Sequence, residues 1–188
     1  MKIRIARIAL AMFVVASSHG SAAPGNPPPG QSNGIGHGNP HPEPFVGEVL
    51  KVANGADLRV HRDDGRQYLV RVYGMHAPAR DEAVWHRTRQ WLDEQLVGQN
   101  ITVDPKGEGP YHSLVAEVFL ADGSILAEVL VRDGLAWWDL VEAPEYHRLQ
   151  NLQDDARGRK VGIWALPEPK DPREQRRTGL VVPAVGRN

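Results

Sequence analysis

Phe45 to Val52, Leu58 to His61 and Gln67 to Tyr73 are three short runs rich in β-branched and aromatic residues, separated by a few residues each. Such spacing predicts three strands in a meander. Asp63-Asp64-Gly65-Arg66 lies between the second and third runs, and its Asp-Gly pair is the signal of a tight hairpin.

After Pro78 the pattern changes. From about Ala79 to Leu96 the apolar or small residues Val84, Thr88, Trp91, Leu92 and Leu96 recur near helical spacing. Asp81 and Glu82 stand in the first turn, where the helix dipole favours acids, and Gly98 stands where a helix ends. Ile101 to Val103 and Leu114 to Leu120 read as two further strands around a loop, Asp104 to Pro110. Ser124 is placed to cap a short helix carrying Ile125, Leu126, Val129 and Leu130 up to Gly134, and a third helix is expected over about Pro144 to Arg157. Five short strands and three helices in the order β-β-β-α-β-β-α-α suit a small Greek-key barrel flanked by helices. Periodicity alone does not choose that barrel over other α+β folds.

The ends read differently from the middle. Lys2, Arg4 and Arg7 precede the apolar stretch Ile8 to Ala16, and Gly20-Ser21-Ala22 offers small residues for a signal peptidase, so residues 1–22 read as a signal peptide. Cleavage after Ala23 also fits but would leave Pro24 first. The stretch is too short to span a membrane, and the expected product is secreted or periplasmic, with no membrane attachment after cleavage. In residues 23–44, Pro and Gly make up 12 of 22 positions, which reads as a disordered or polyproline-like linker. Its His37 and His41 could loosely hold a transition metal, though two solvated histidines more often do nothing. The remainder divides into a domain, 45–166, and a tail, 167–188. Export permits disulfides, yet the chain has no Cys, so a packed core must hold it together. Between Phe45 and Trp164, 14 Lys and Arg face 19 Asp and Glu, a net of −5. A protein that grips a polyanion is expected to show a basic face, and here any such face must be local.

Four segments resemble the staphylococcal nuclease (thermonuclease) family in the right order. They are Glu48 to Val60, Val70-Arg71-Val72-Tyr73-Gly74-Met75-His76-Ala77-Pro78, Leu130 to Trp137, and Ala156-Arg157 followed by Gly162-Ile163-Trp164. The Pro- and Arg-containing stretch Pro169 to Arg177 is similar to the tails of bacterial members, so the resemblance covers about Phe45 to Arg177. It implies an OB-fold, a five-stranded Greek-key barrel with three α-helices.

The resemblance also implies a mechanism, in which calcium, a carboxylate and two arginines cleave phosphodiesters in DNA and RNA. Such a set is chemically sound, since a hard cation takes oxygen ligands, water needs activation, and guanidinium groups stabilise developing charge. In this chain most of it is missing. The family's Asp-Gly-Asp-Thr becomes Asn54-Gly55-Ala56-Asp57, so a metal ligand is replaced by Ala56. Asp57 does not stand in for it on a strand, because a one-residue slip turns a side chain to the opposite face. In Arg-x-x-x-x-Asp-x-Pro-Glu, Arg71 is kept, His76 replaces the aspartate and Ala79 the glutamate. Asp-x-Tyr-Gly-Arg becomes Gly109-Pro110-Tyr111-His112-Ser113, keeping only Tyr111. No cofactor is therefore expected, the calcium ligands being absent, and no metal site is assigned.

Two functions of different classes stay open. The first is a catalytically degenerate module that binds a protein partner or an oligonucleotide, or acts as a scaffold. The second is a phosphodiesterase in which His76 and His112, beside Arg71, Tyr111 and Ser113 in one cleft, perform acid–base chemistry without the family's metal. Whether the protein is an enzyme is thus open, with the lost carboxylates weighing against it. The bland account of both histidines is drift after selection on the carboxylates lapsed. Asp81 and Glu82 could turn toward the emptied cleft but are ordinary dipole partners. His86, Arg87 and Arg89 read as a solvated helix face. Trp85, Trp91, Trp137 and Trp138 read as packing residues before base-stacking ones. Arg157, Arg159 and Lys160 form a small basic cluster able to hold a phosphate, or simply a charged turn.

Overall fold

The structure is a computed structural model and describes residues 42–53, 55–80 and 83–171. The signal segment, the linker up to residue 41 with His37 and His41, and Asn54, Asp81 and Glu82 lie outside the described residues. So does the chain beyond Asp171.

Five strands form a closed barrel: β1 (Phe45–Val52), β2 (Asp57–Arg62), β3 (Gln67–Val72), β5 (Asn100–Gly109) and β6 (Ser113–Phe119). The order around it is β1-β2-β3-β6-β5, with β5 returning to β1. Only the β3–β6 contact is parallel; the others are antiparallel. That topology is the OB-fold the resemblance implies, and closure leaves no free sheet edge. Alternation does the sorting. Leu58 and Val60 from β2, Val70 and Val72 from β3, and Ile101 and Val103 from β5 point inward and are buried, while Asp57, Arg59 and Arg71 lie between them on the outer face.

Three helices close the barrel: α1 (Ala83–Leu96), α2 (Leu126–Arg132) and α3 (His147–Arg159). The helical pattern of α1 buries Val84, Thr88, Leu92 and Leu96, with Trp91 half-buried beside the barrel core. The Thr88 hydroxyl lies within hydrogen-bond distance of the Val84 carbonyl (3.0 Å) and the Leu135 carbonyl (2.6 Å). Helix α2 gives Leu126 and Leu130 to the same core, joined by Leu149 of α3. A second cluster gathers Val84, Trp137, Ala156, Ile163 and Trp164. Among the described residues no helix is long and apolar enough to cross a membrane.

Several boundaries differ from expectation. Strand β5 runs on through most of the expected loop, because a bulge between Pro105 and Gly107 absorbs the residue that would break the register. A bulge is where a sheet accepts proline, which has no N–H to donate. Met75–His76 (β4) and Trp137–Trp138 (β7) pair as a two-stranded ribbon that no periodicity could reveal in so few residues. Ser124 does not cap α2: its backbone N–H and hydroxyl both donate to Asp122 Oδ1, at 2.9 and 2.6 Å, and Ile125 takes the cap position. Helix α3 starts at His147 rather than near Pro144. The preceding residues are held in a turn by Asp139, whose carboxylate accepts the N–H groups of Val141 and Glu142.

Candidate functional site

The β1–β2 turn shapes one wall of a cleft on the outside of the barrel. Gly55 adopts φ +64°, and a Cβ there would come within 2.8 Å of the Ala77 methyl, so only glycine lets the turn lie against the segment after β4. Arg89 of α1 holds the turn from the other side, donating to the carbonyls of Ala53 (2.7 Å) and Val52 (3.0 Å). The helix face read as merely solvated therefore contains a structural arginine.

The cleft measures about 260 Å³, and Ala56, Asp57, Arg71, Met75, His76 and Ala77 are among the residues lining it. Asp57 and Arg71 are register partners across β2 and β3. The expectation that Asp57 faces away from the cleft is corrected here. Ala56 belongs to the turn, not to the strand, so period-2 alternation does not yet apply to it, and both neighbours reach the same hollow. Burial raises the Asp57 carboxyl above the ordinary aspartate range, and the nearby Arg71 charge only partly offsets this.

His76 lies in β4 and is buried, at 7 % exposure. Its Nε2 is 2.8 Å from Asp171 Oδ1, and its ring lies parallel to Trp137, 6.5 Å between centroids and 9° between planes. Its Nδ1 is shut away from solvent and has no hydrogen-bond partner. One ring nitrogen is thus engaged and the other is closed to solvent. His76 ties the segment around Asp171 to the β4–β7 ribbon.

Tyr111, His112 and Ser113 do not line the cleft. Tyr111 and His112 form the tip between β5 and β6, both with left-handed backbone (φ 58° and 55°). Tyr111 is 93 % exposed, and His112 Nδ1 faces Glu108 at 3.1 Å. Ser113 is buried, and its hydroxyl donates to the Pro110 carbonyl at 2.7 Å. The expected His76–His112 pair in one cleft is therefore not formed. Only Arg71 and His76 of the five expected residues reach it.

Calcium, which the resemblance implies, takes about six to eight oxygen ligands. Among the described residues the cleft offers one carboxylate, Asp57, with methyl groups at Ala56 and Ala77 and an imidazole already engaged elsewhere. Ala79 adds no donor. These residues do not fit the ion, and among the described residues no three His, Cys, Asp or Glu side chains are grouped to hold a metal.

A family model described as "Staphylococcal nuclease homologue" matches residues 69–166, more than half of the 188-residue chain. The chain belongs to the staphylococcal nuclease family. Among relatives within or close to it, a protein of Haemophilus influenzae named "Uncharacterized endonuclease" is 26% identical over 129 residues, covering 69% of this chain and 71% of that one. A "Micrococcal nuclease" of Shigella flexneri is 25% identical over 144 residues, covering 71% and 81%. The Arabidopsis thaliana "Staphylococcal-like nuclease CAN1" is 25% identical over 112 residues, which is 60% of this chain but only 34% of the plant protein.

Within this nuclease-family barrel the tryptophans serve packing. Trp137 and Trp138 are buried; Trp85 is half-buried, with the Arg80 and Arg89 guanidinium groups 5.6 and 5.9 Å from its ring. Of the basic cluster, Arg159 pairs with Asp155 at 3.0 Å and donates to the Arg132 carbonyl, and Arg157 lies 4.4 Å from the Trp164 ring centroid. Sequence reasoning missed two residues. Asp57 carries a signal, being an acid within the first of the resembling motifs, but strand alternation argues against it. Asp171 carried none, since its contact with His76 spans 95 positions.

Proposed function

We propose that this protein is an exported member of the nuclease family that no longer performs calcium-dependent phosphodiester hydrolysis and works as a binding module. The observation that carries this reading is His76. It stands where the family has a carboxylate, and its Nε2 is committed to Asp171 while Nδ1 is closed off. A base must offer a free nitrogen within hydrogen-bond reach of the proton it takes, and although His76 lines the cleft, one of its nitrogens is engaged and the other is closed to solvent. Ala56 and Ala79, at two other carboxylate positions, support the same conclusion. Export rests on the basic and apolar N-terminal residues and the small residues before Ala23.

The test is cleavage of single- and double-stranded DNA and of RNA by purified mature protein, with calcium, zinc, manganese or EDTA. No protein-dependent cleavage is expected. Cleavage that disappears in Arg71→Ala would overturn the proposal.

A second reading, a phosphodiesterase with an altered site, is favoured by one observation: a half-buried Asp57 shares the cleft with Arg71. Under that reading Arg71 holds a phosphate and Asp57 takes the proton of the attacking water. Asp57→Asn would then abolish whatever cleavage Arg71→Ala abolishes.

A further inference from the structure

A second groove of about 510 Å³ lies between β7, the end of α3 and the segment reaching Asp171. Trp137, Trp138 and Trp164 form part of its walls, and Gln153, Arg157 and Lys160 supply polar groups. It is roughly twice the size of the cleft described above and shares none of the residues named for it.

Its uncommitted polar groups are all donors. Gln153 Oε1 already accepts the Trp138 backbone N–H at 3.0 Å, which leaves the amide NH₂ to the groove. Asp171, the one carboxylate among the described lining residues, is engaged with His76. Arg157 and Lys160 make no ion pair among the described residues, unlike Arg159. The indole Nε1–H groups of Trp137 and Trp164 are closed off from solvent and have no partner, so they offer the groove nothing as it stands. Buried donors of this kind are normally bonded.

The rim is aliphatic. Leu140, which lines the groove, is 58 % exposed, and its neighbour Val141 is 72 % exposed. We propose that this groove binds a protein segment carrying an aliphatic side chain next to one or two carboxylates. The carboxylate meets the Arg157 guanidinium and the Lys160 ammonium, and the aliphatic group covers Leu140. An arginine and a carboxylate match in shape as well as charge. A nucleic acid suits the groove less well. Trp137 lies beside His76 and Trp164 beside Arg157, and the groove's two cations, Arg157 and Lys160, suit one or two carboxylates, whereas a phosphate backbone calls for an extended basic face.

The inference rests on the binding-module reading and names its partner chemistry. The two fail separately: hydrolysis of nucleic acid sinks the reading, whereas the inference is decided by peptide titration of the full mature protein. The probes are N-acetylated Leu-Glu-Leu-Asp-Leu, its counterpart Leu-Lys-Leu-Lys-Leu, and a ten-residue oligothymidylate, followed by tryptophan fluorescence and calorimetry. The acidic peptide is expected to bind, to weaken as salt rises, and to lose at least about tenfold affinity in Arg157→Glu and in Leu140→Asp. Lys160→Glu removes an exposed charge that contacts no described carboxylate. It keeps the test decisive if Arg157→Glu disturbs packing on Trp164. Equal binding of both peptides, no binding at all, or unchanged affinity in Lys160→Glu and Leu140→Asp would overturn the inference. So would tighter binding of the oligothymidylate, which would reassign the groove to nucleic acid.

Discussion

Asp57 is an acid kept in a place that disfavours its charge. Because burial raises its carboxyl above the usual value of 3.8, the folded state favours the protonated form. Its contribution to stability is full below the ordinary carboxylate value and is lost as pH rises through the raised one. At pH 7 the ionised group therefore opposes folding. Asp57→Asn is expected to raise the thermal midpoint at pH 7, with the gain shrinking as the pH falls toward 3.8 in parallel melts of both proteins; an equal gain at both pH values would contradict the assigned cause. His76 makes the opposite case. His76→Ala removes the ring from Trp137 and strips Asp171 of its Nε2 contact. A loss of about 1–3 kcal/mol is expected in urea unfolding, with no change in nucleic-acid cleavage. Altered cleavage would return His76 to the catalytic account.

At the level of elements, junctions rather than strand interiors carry the unusual contacts. Gly134 and Gly162 press together with left-handed backbone (φ 65° and 57°). The Ile163 N–H donates to the Gly134 carbonyl at 2.8 Å, and a methyl on Gly162 would collide with that same carbonyl. Gly162→Ala is expected to cost about 1–3 kcal/mol from the backbone alone, before the collision is counted. A neutral result in denaturant unfolding would contradict this contact. Tyr146 links α3 to its neighbours, donating toward Glu117 (3.1 Å) and Glu128 (3.3 Å). Burial, then those two carboxylates, push its hydroxyl well above the ordinary value of 10.0. Its stabilising share is present below that value and is lost only as pH climbs through the raised one. Tyr146→Phe is thus expected to lower stability at neutral pH by about 1–3 kcal/mol, measured by urea unfolding.

For the whole molecule, closure of the barrel buries one continuous core, and single large residues there matter. Leu58→Ala, at a fully buried position, is expected to cost about 2–5 kcal/mol in the same unfolding assay. The five barrel strands and three helices were legible because their patterns persist for several residues: Leu58 and Val60 alternate, and Val84, Thr88, Leu92 and Leu96 recur by turns of a helix. The β4–β7 ribbon was not, since two residues per strand hold no period. Candidate site residues divided along the same line. Arg71 is fixed by its strand and lines the cleft, whereas His112 and Ser113 depend on a left-handed tip that no alternation rule describes.

Local chemistry written in the chain determined that five short strands and three helices would form and that no disulfide would hold them, while the resemblance supplied the barrel and the expectation of carboxylates where Ala56, His76 and Ala79 stand. The elements and the missing disulfide follow from side-chain type and short-range spacing. The tertiary structure alone decided what replaced those carboxylates. It set Asp57 beside Arg71, spent the His76 ring on Asp171, and opened a donor-lined groove between Trp137 and Lys160. Each of these joins residues far apart in sequence, and packing, not local preference, chooses such contacts.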